Sequence, residues 1–97
     1  MDKNIKEMVE YPKEGILSKV ISNENYNITL FCMAKGTEIS EHTSTKAGIV
    51  YVIEGDGIFN LAGKEIKMSP ETLITMDSNQ KHSIKAREET SFLLILK

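Results

Sequence analysis

The stretch that decides the fold runs Gly36-Thr-Glu-Ile-Ser-Glu-His42-Thr-Ser-Thr-Lys-Ala-Gly-Ile-Val-Tyr-Val-Ile-Glu-Gly55-Asp-Gly57. It reads as a turn, a short strand carrying His42, a polar bend, an apolar strand over 49–53, and a Gly55-Asp56-Gly57 turn read as a β-hairpin. Upstream, β-branched and aromatic runs predict strands over 16–21 and 26–34, separated by the turn cluster Ser22-Asn23-Glu24-Asn25. Downstream, strands are predicted over 58–61, 65–68, 72–76, 82–86 and 91–96. Ala62-Gly63-Lys64 and Ser69-Pro70-Glu71 interrupt them, since proline cannot serve a central ladder. The unbroken apolar run Phe92-Leu-Leu-Ile-Leu96 predicts a strand buried on both faces. Nine or ten short strands with closely spaced turns and no helix point to an all-β sandwich or barrel.

Outside these strands, residues 1–14 are polar, with Ile5, Met8 and Val9 on one face of a short helical turn. Tyr11-Pro12 breaks that turn, because the residue before proline is pushed out of the helical region. The division is therefore an N-terminal arm or edge strand over 1–14 and one β-barrel domain over 15–97. Ninety-seven residues suit a single core. Twelve basic and fourteen acidic residues, interleaved, form no basic stripe and exclude a nucleic-acid surface. The start lacks a signal peptide's apolar core and no apolar run is long enough to span a bilayer, so no membrane partner is expected and the expected location is cytoplasmic. Cys32 is the only cysteine, which rules out an internal disulfide and a CxxC metal or redox motif.

The order of turns and histidines resembles the cupin superfamily, whose small members are jelly-roll β-barrels. Gly36, five residues and His42 match the opening of its first motif, G-x5-H-x-H-x3-4-E-x6-G, and Gly55 matches the close. Ser69-Pro70-Glu71-Thr72, the strand after it and His82 resemble the second motif. The resemblance covers about 26–96 and implies a barrel interior into which His42 and His82 project. The departures fall on the ligands. Ser44 stands where the family has its second histidine, and Gly48, or Ile49 under the longer spacing, stands where it has glutamate. Glu71 or Thr72 replaces the second motif's glycine, and Asp77 or a neighbour its later proline.

The expected pocket residues are thus His42, Ser44 and His82, with His42 and His82 as the two candidate metal ligands. No cofactor is demanded by the residues themselves; a divalent metal (Zn, Fe, Mn or Ni) is what the resemblance implies. Strand alternation puts Glu38, Ser40, His42 and Ser44 on one face, with Glu41 outward and Glu38 about 13 Å along the strand from His42. A catalytic zinc takes three protein ligands and non-haem iron two histidines and a carboxylate, so this set is short. Ser44 is read as a polar pocket wall, and Cys32 as a small core residue able to line the interior. Tyr51 is a packing residue that could donate into the pocket, and Met33, Met68 and Met76 fill the core. The leading function is small-molecule binding around His42 and His82. The alternatives are a metal-dependent dioxygenase, isomerase or decarboxylase acting on a small organic acid or sugar, and an oligomeric interaction module. A homodimer is expected from edge strands and apolar residues over 1–21 and 91–96.

Overall fold

The computed structural model describes residues 2–97, so Met1 of the expected arm lies outside it. Nine strands run β1 (Ile16–Ser22), β2 (Asn27–Met33), β3 (Glu38–His42), β4 (Gly48–Glu54), β5 (Gly57–Leu61), β6 (Lys64–Met68), β7 (Leu73–Met76), β8 (His82–Ala86) and β9 (Thr90–Leu96). They form a five-stranded sheet in the order β1-β2-β9-β4-β7 and a four-stranded sheet in the order β3-β8-β5-β6. Every pairing is antiparallel. Outside the hairpins β1–β2 and β5–β6, each connection carries the chain from one sheet to the other. This is a jelly roll, the all-β class that the turn spacing predicts.

The core lies between the sheets. Fully buried Phe59 and Met68 come from the four-stranded side, and Met33, Val50, Val52 and Phe92 from the five-stranded side. Burying such a side chain stabilises the fold by roughly 1.5–3 kcal/mol. Phe31 and Phe92, paired across β2 and β9, stack with ring centroids 5.1 Å apart. Ala62 (φ 50) and Gly63 (φ 85) link Leu61 to Lys64 as the two-residue left-handed turn that matches strand twist in a hairpin.

Four expectations are corrected by the topology. Gly55-Asp56-Gly57 is not a hairpin, because β4 and β5 lie in different sheets. It is a corner, pinned beneath the β8–β9 turn: the Asp56 carbonyl accepts from Arg87 N at 2.8 Å, Glu88 N at 3.1 Å and Thr90 Oγ1 at 3.1 Å. Alternation and turn residues predict where a chain bends; they do not say which strand it joins next.

Of the two readings of the N-terminal segment, an arm or an edge strand, residues 2–14 take the form of an arm. Asn4 Oδ1 accepts from Glu7 N at 3.2 Å and caps a one-turn helix, α1 (Ile5–Met8). The arm then lies over the outer face of the five-stranded sheet, fixed by Lys19 Nζ donating to Met8 O at 2.9 Å and pairing with Glu10 at 3.0 Å. Tyr11 Oη lies 3.0 Å from both Glu54 Oε2 and Ser91 Oγ. Burial, then the neighbouring Glu54 carboxylate, push the Tyr11 hydroxyl up to about 12 even though the bond with Ser91 acts the other way. Cys32 is therefore buried on this outer face, not in the barrel, and desolvation pushes its thiol up.

The third and fourth corrections concern β9. It is a central strand rather than an edge, flanked by β2 and β4. Thr90, Ser91 and Phe92 are buried, but residues 93–96 are only half-buried: Leu94 lines the half-open cavity on the inner side, and Ile95 lies in the groove on the outer face.

The corner supplies a test. Gly55 has φ 120, and a Cβ there would sit 2.5 Å from the Thr90 Cα and 2.6 Å from the Glu89 carbonyl oxygen. Gly63 has φ 85 but open space around it. In urea titrations Gly55→Ala should lose about 3 kcal/mol or more, and Gly63→Ala only about 1 kcal/mol. Equal losses would show that backbone conformation alone, and not the close approach to Thr90, sets the requirement at Gly55.

Candidate functional site

β3 and β8 carry the two histidines, and the site depends on how they pair. Glu38 faces Lys85 and Ile39 faces Ile84, but the register then shifts and His42 faces His82. The extra residue between Ile39 and His42 is a β-bulge. It reverses the alternation, so His42 shares the inner face with Ile39, while Glu38, Ser40 and Glu41 line the opposite, solvent face. The expected common face for Glu38, Ser40 and His42 is thus corrected, because one inserted residue exchanges the two sides of a strand. Glu38 instead meets Lys85 at 3.5 Å in solvent.

His42 and His82 lie with ring centroids 4.2 Å apart at 62°, and Phe59 stacks parallel to His82 at 5.9 Å. His82 is 7% exposed, whereas His42 stands at the exposed rim. Each ring is oriented by a carbonyl two residues back in the chain. His42 Nδ1 lies 2.8 Å from Ser40 O, and His82 Nδ1 lies 2.9 Å from Gln80 O. A carbonyl oxygen can only accept, so Nδ1 carries the proton in both rings. In the neutral imidazole Nε2 then holds a free lone pair.

Beneath the pair is a cavity of about 140 Å³, walled by apolar side chains of both sheets, chiefly Phe31, Val50, Phe59, Met76, Phe92 and Leu94. The histidines are the only polar side chains among its lining. A larger groove, about 540 Å³, lies on the solvent face of the four-stranded sheet, with Glu38, Glu41, Glu65, Lys85 and Arg87 around it. Its charges are solvated, so the smaller apolar cavity with two oriented imidazoles at its mouth is the better site.

Ser44 is placed differently from the other two. Its hydroxyl accepts from Lys46 N at 3.2 Å, and it does not line the cavity. Its carbonyl accepts from Asn79 N at 2.7 Å, which ties the loop after His42 to the loop before His82. Tyr51 lies on the outer side of β4, between the core positions Val50 and Val52, and does not line the cavity. Met76 does line it, and Met33 and Met68 are core. The carbonyls of Ser40 and Gln80 escape a sequence reading because backbone groups leave no residue-type signal. The β8 pattern that buries His82, Ile84 and Ala86 on one side, with Phe59 opposite Ile84, is the only trace of the aromatic wall.

Among the described residues no group of three or more His, Cys, Asp or Glu is placed to hold a metal ion. At the position matching the family's glutamate, a Cβ on Gly48 would meet Leu96 Cδ2 at 2.8 Å and Met76 Cε at 3.3 Å. A side chain at this position would need the ends of Leu96 and Met76 to shift. Ile49, the alternative match, lies on the outer face. Two imidazoles remain, one short of a catalytic zinc or iron set. In the second motif the left-handed position falls on Glu71 (φ 69), one of the two residues standing in place of glycine.

The Cupin domain family matches residues 29–96. A search of curated proteins found no match. Among solved structures, a Cupin 2 conserved barrel domain protein from Leptotrichia buccalis is similar, with a TM-score of 0.89 and 26% identity over 97% of this chain and 46% of that one. A conserved protein of unknown function from Streptococcus pyogenes gives a TM-score of 0.87 and 22% identity, covering 99% of this chain and 85% of that one. A predicted oxalate decarboxylase from Thermotoga maritima gives 0.77 and 18%, covering 84% and 78%. The last two establish likeness of fold.

The tautomers are directly measurable. Nitrogen-15 spectra of the neutral imidazoles should show Nδ1 protonated and Nε2 with a pyridine-type shift for both His42 and His82. A dominant Nε2–H form in either ring would contradict the carbonyl bonds that orient the pair.

Proposed function

The chain belongs to the cupin family, and on that premise we propose that its barrel binds a small molecule in the cavity beneath His42 and His82. The observation that carries this reading is the apolar-walled cavity of about 140 Å³ with two carbonyl-oriented imidazoles at its mouth. Small-molecule sites commonly combine apolar walls with a few oriented polar groups. Ser44 acts here through its carbonyl, holding the rim loops together, and not as a contact to the ligand.

A second reading is a metal-dependent cupin enzyme, a dioxygenase, isomerase or decarboxylase acting on a small organic acid or sugar. One observation favours it: Nδ1–H bonded to a carbonyl is how metal-binding histidines are commonly oriented. The packing of Leu96 and Met76 beside Gly48, at the glutamate position, weighs against it.

Protein purified without a histidine tag should carry no stoichiometric metal, and Zn²⁺, Fe²⁺, Mn²⁺ or Ni²⁺ should leave its Tm unchanged. A ligand that binds only the native state must raise Tm. About one metal per chain, lost in both His42→Ala and His82→Ala, would replace the binding reading with the metal reading.

The same proposal includes a homodimer. The five-stranded sheet presents an outer apolar patch beyond the arm, with Tyr26 60% exposed, Leu73 61% and Ile49 37%, beside Ile95. Lys97 is the one charged residue among those lining the groove there. A second copy, bringing the same apolar surface, would cover it without burying an unpaired charge across most of its area. Light scattering at micromolar concentration should give a dimer, and Ile49→Asp with Leu73→Asp should give a folded monomer. A monomeric wild type would end this part of the proposal.

A further inference from the structure

We infer that the ligand is a neutral, ring-sized apolar molecule bearing a hydrogen-bond donor, a hydroxyl or uncharged amino group, at the end that meets the histidines. This rests on the reading of the cavity as the ligand site and narrows it to a chemical class.

Size sets the first limit. A cavity of about 150 Å³ lined by Leu, Ile and Phe accommodates benzene. The volume here is about 140 Å³ with walls of the same kind, so one six-membered ring or a branched alkyl group fills it. A fused bicyclic body would have to extend past the rim at His42.

Charge sets the second limit. No Lys, Arg, Asp or Glu lines the cavity. A charged group brought inside would lose its hydration without a counter-charge, a cost of several kcal/mol. A sugar, with hydroxyls around its whole perimeter, would leave most of them unpaired against Phe31, Phe59, Phe92 and Leu94.

Hydrogen-bond polarity sets the third. The only polar side-chain atoms free to meet a ligand are the two Nε2 atoms, and both are acceptors in the neutral rings. Their Nδ1–H donors are already committed to Ser40 O and Gln80 O. A carboxylate or carbonyl therefore meets lone pairs instead of donors, whereas a hydroxyl or amino group is matched. The chemistry at the rim thus selects against the small organic acids that the metal-dependent reading would require.

The test uses ¹⁵N- and methyl-labelled full-length chain at pH 8, titrated with phenol, aniline, toluene and benzoate. Phenol and aniline should shift the signals of His82, Phe59, Met76 and Leu94, and bind about five- to tenfold more tightly than toluene, the effect of one hydrogen bond. Benzoate should leave those signals in place. His82→Phe keeps a ring against Phe59 but removes an acceptor, and His42→Phe does the same at the exposed rim, where folding is least at risk. Phenol should fall toward toluene's affinity in the variant that removes the acceptor it uses, and in the double variant, while toluene is retained.

Toluene binding as tightly as phenol, or benzoate binding more tightly, would overturn the donor class while leaving the cavity as the ligand site. Binding that survives Ile39→Trp, which fills the cavity from its half-buried edge, would place the site elsewhere and overturn both. No binding by any of the four probes would also overturn both.

Discussion

The approach of Gly55 to Thr90 is the contact on which the two-sheet arrangement turns. β4 ends in the five-stranded sheet and β5 begins in the other, so the chain must change direction within three residues. A backbone-to-backbone distance that leaves no room for a Cβ makes this corner, and three donors from the β8–β9 turn close on the Asp56 carbonyl. That turn is itself a crossing between sheets. Two of the chain's changes of sheet thus brace one another, and they set the spacing in which Val52, Phe59 and Phe92 pack.

A single inserted residue then decides the chemistry. The bulge between Ile39 and His42 turns His42 toward the rim of the cavity and leaves Glu38, Ser40 and Glu41 on the solvent face. It therefore removes the nearest carboxylates from reach of the histidine pair. On the facing sheet, where the family pattern has glutamate, this chain packs Leu96 and Met76 beside Gly48, and two imidazoles held by carbonyls stand at the mouth of the cavity.

The strands were legible because alternation and turn residues are local. All nine begin and end within one residue of their reading; β2 runs one residue shorter and β4 one longer at each end. His42 and His82 were legible as a pair through the spacing of their motifs. The face assignments before the bulge were not, because a bulge has no residue-type signature at Ser40-Glu41, where neither glycine nor proline stands. Cys32 failed for a related reason. Its alternation with Phe31 and Met33 was visible, but both faces of β2 are covered, one by the opposite sheet and the other by the arm.

The sequence by itself determined an all-β chain, the positions of its turns, the two histidines and the departures from the family's ligand motif, since each follows from residue types at short range. Gly36-to-Gly57 contained the frame of the site. Tertiary structure alone decided that Gly55-Asp56-Gly57 joins two sheets, that His42 lines the cavity and that the Ser44 carbonyl bonds Asn79 N across the two loops. It also decided that Leu96, nearly fifty residues from Gly48, packs beside it. Those outcomes depend on which strands pair and in what register, and residues far apart in the chain set that jointly through packing.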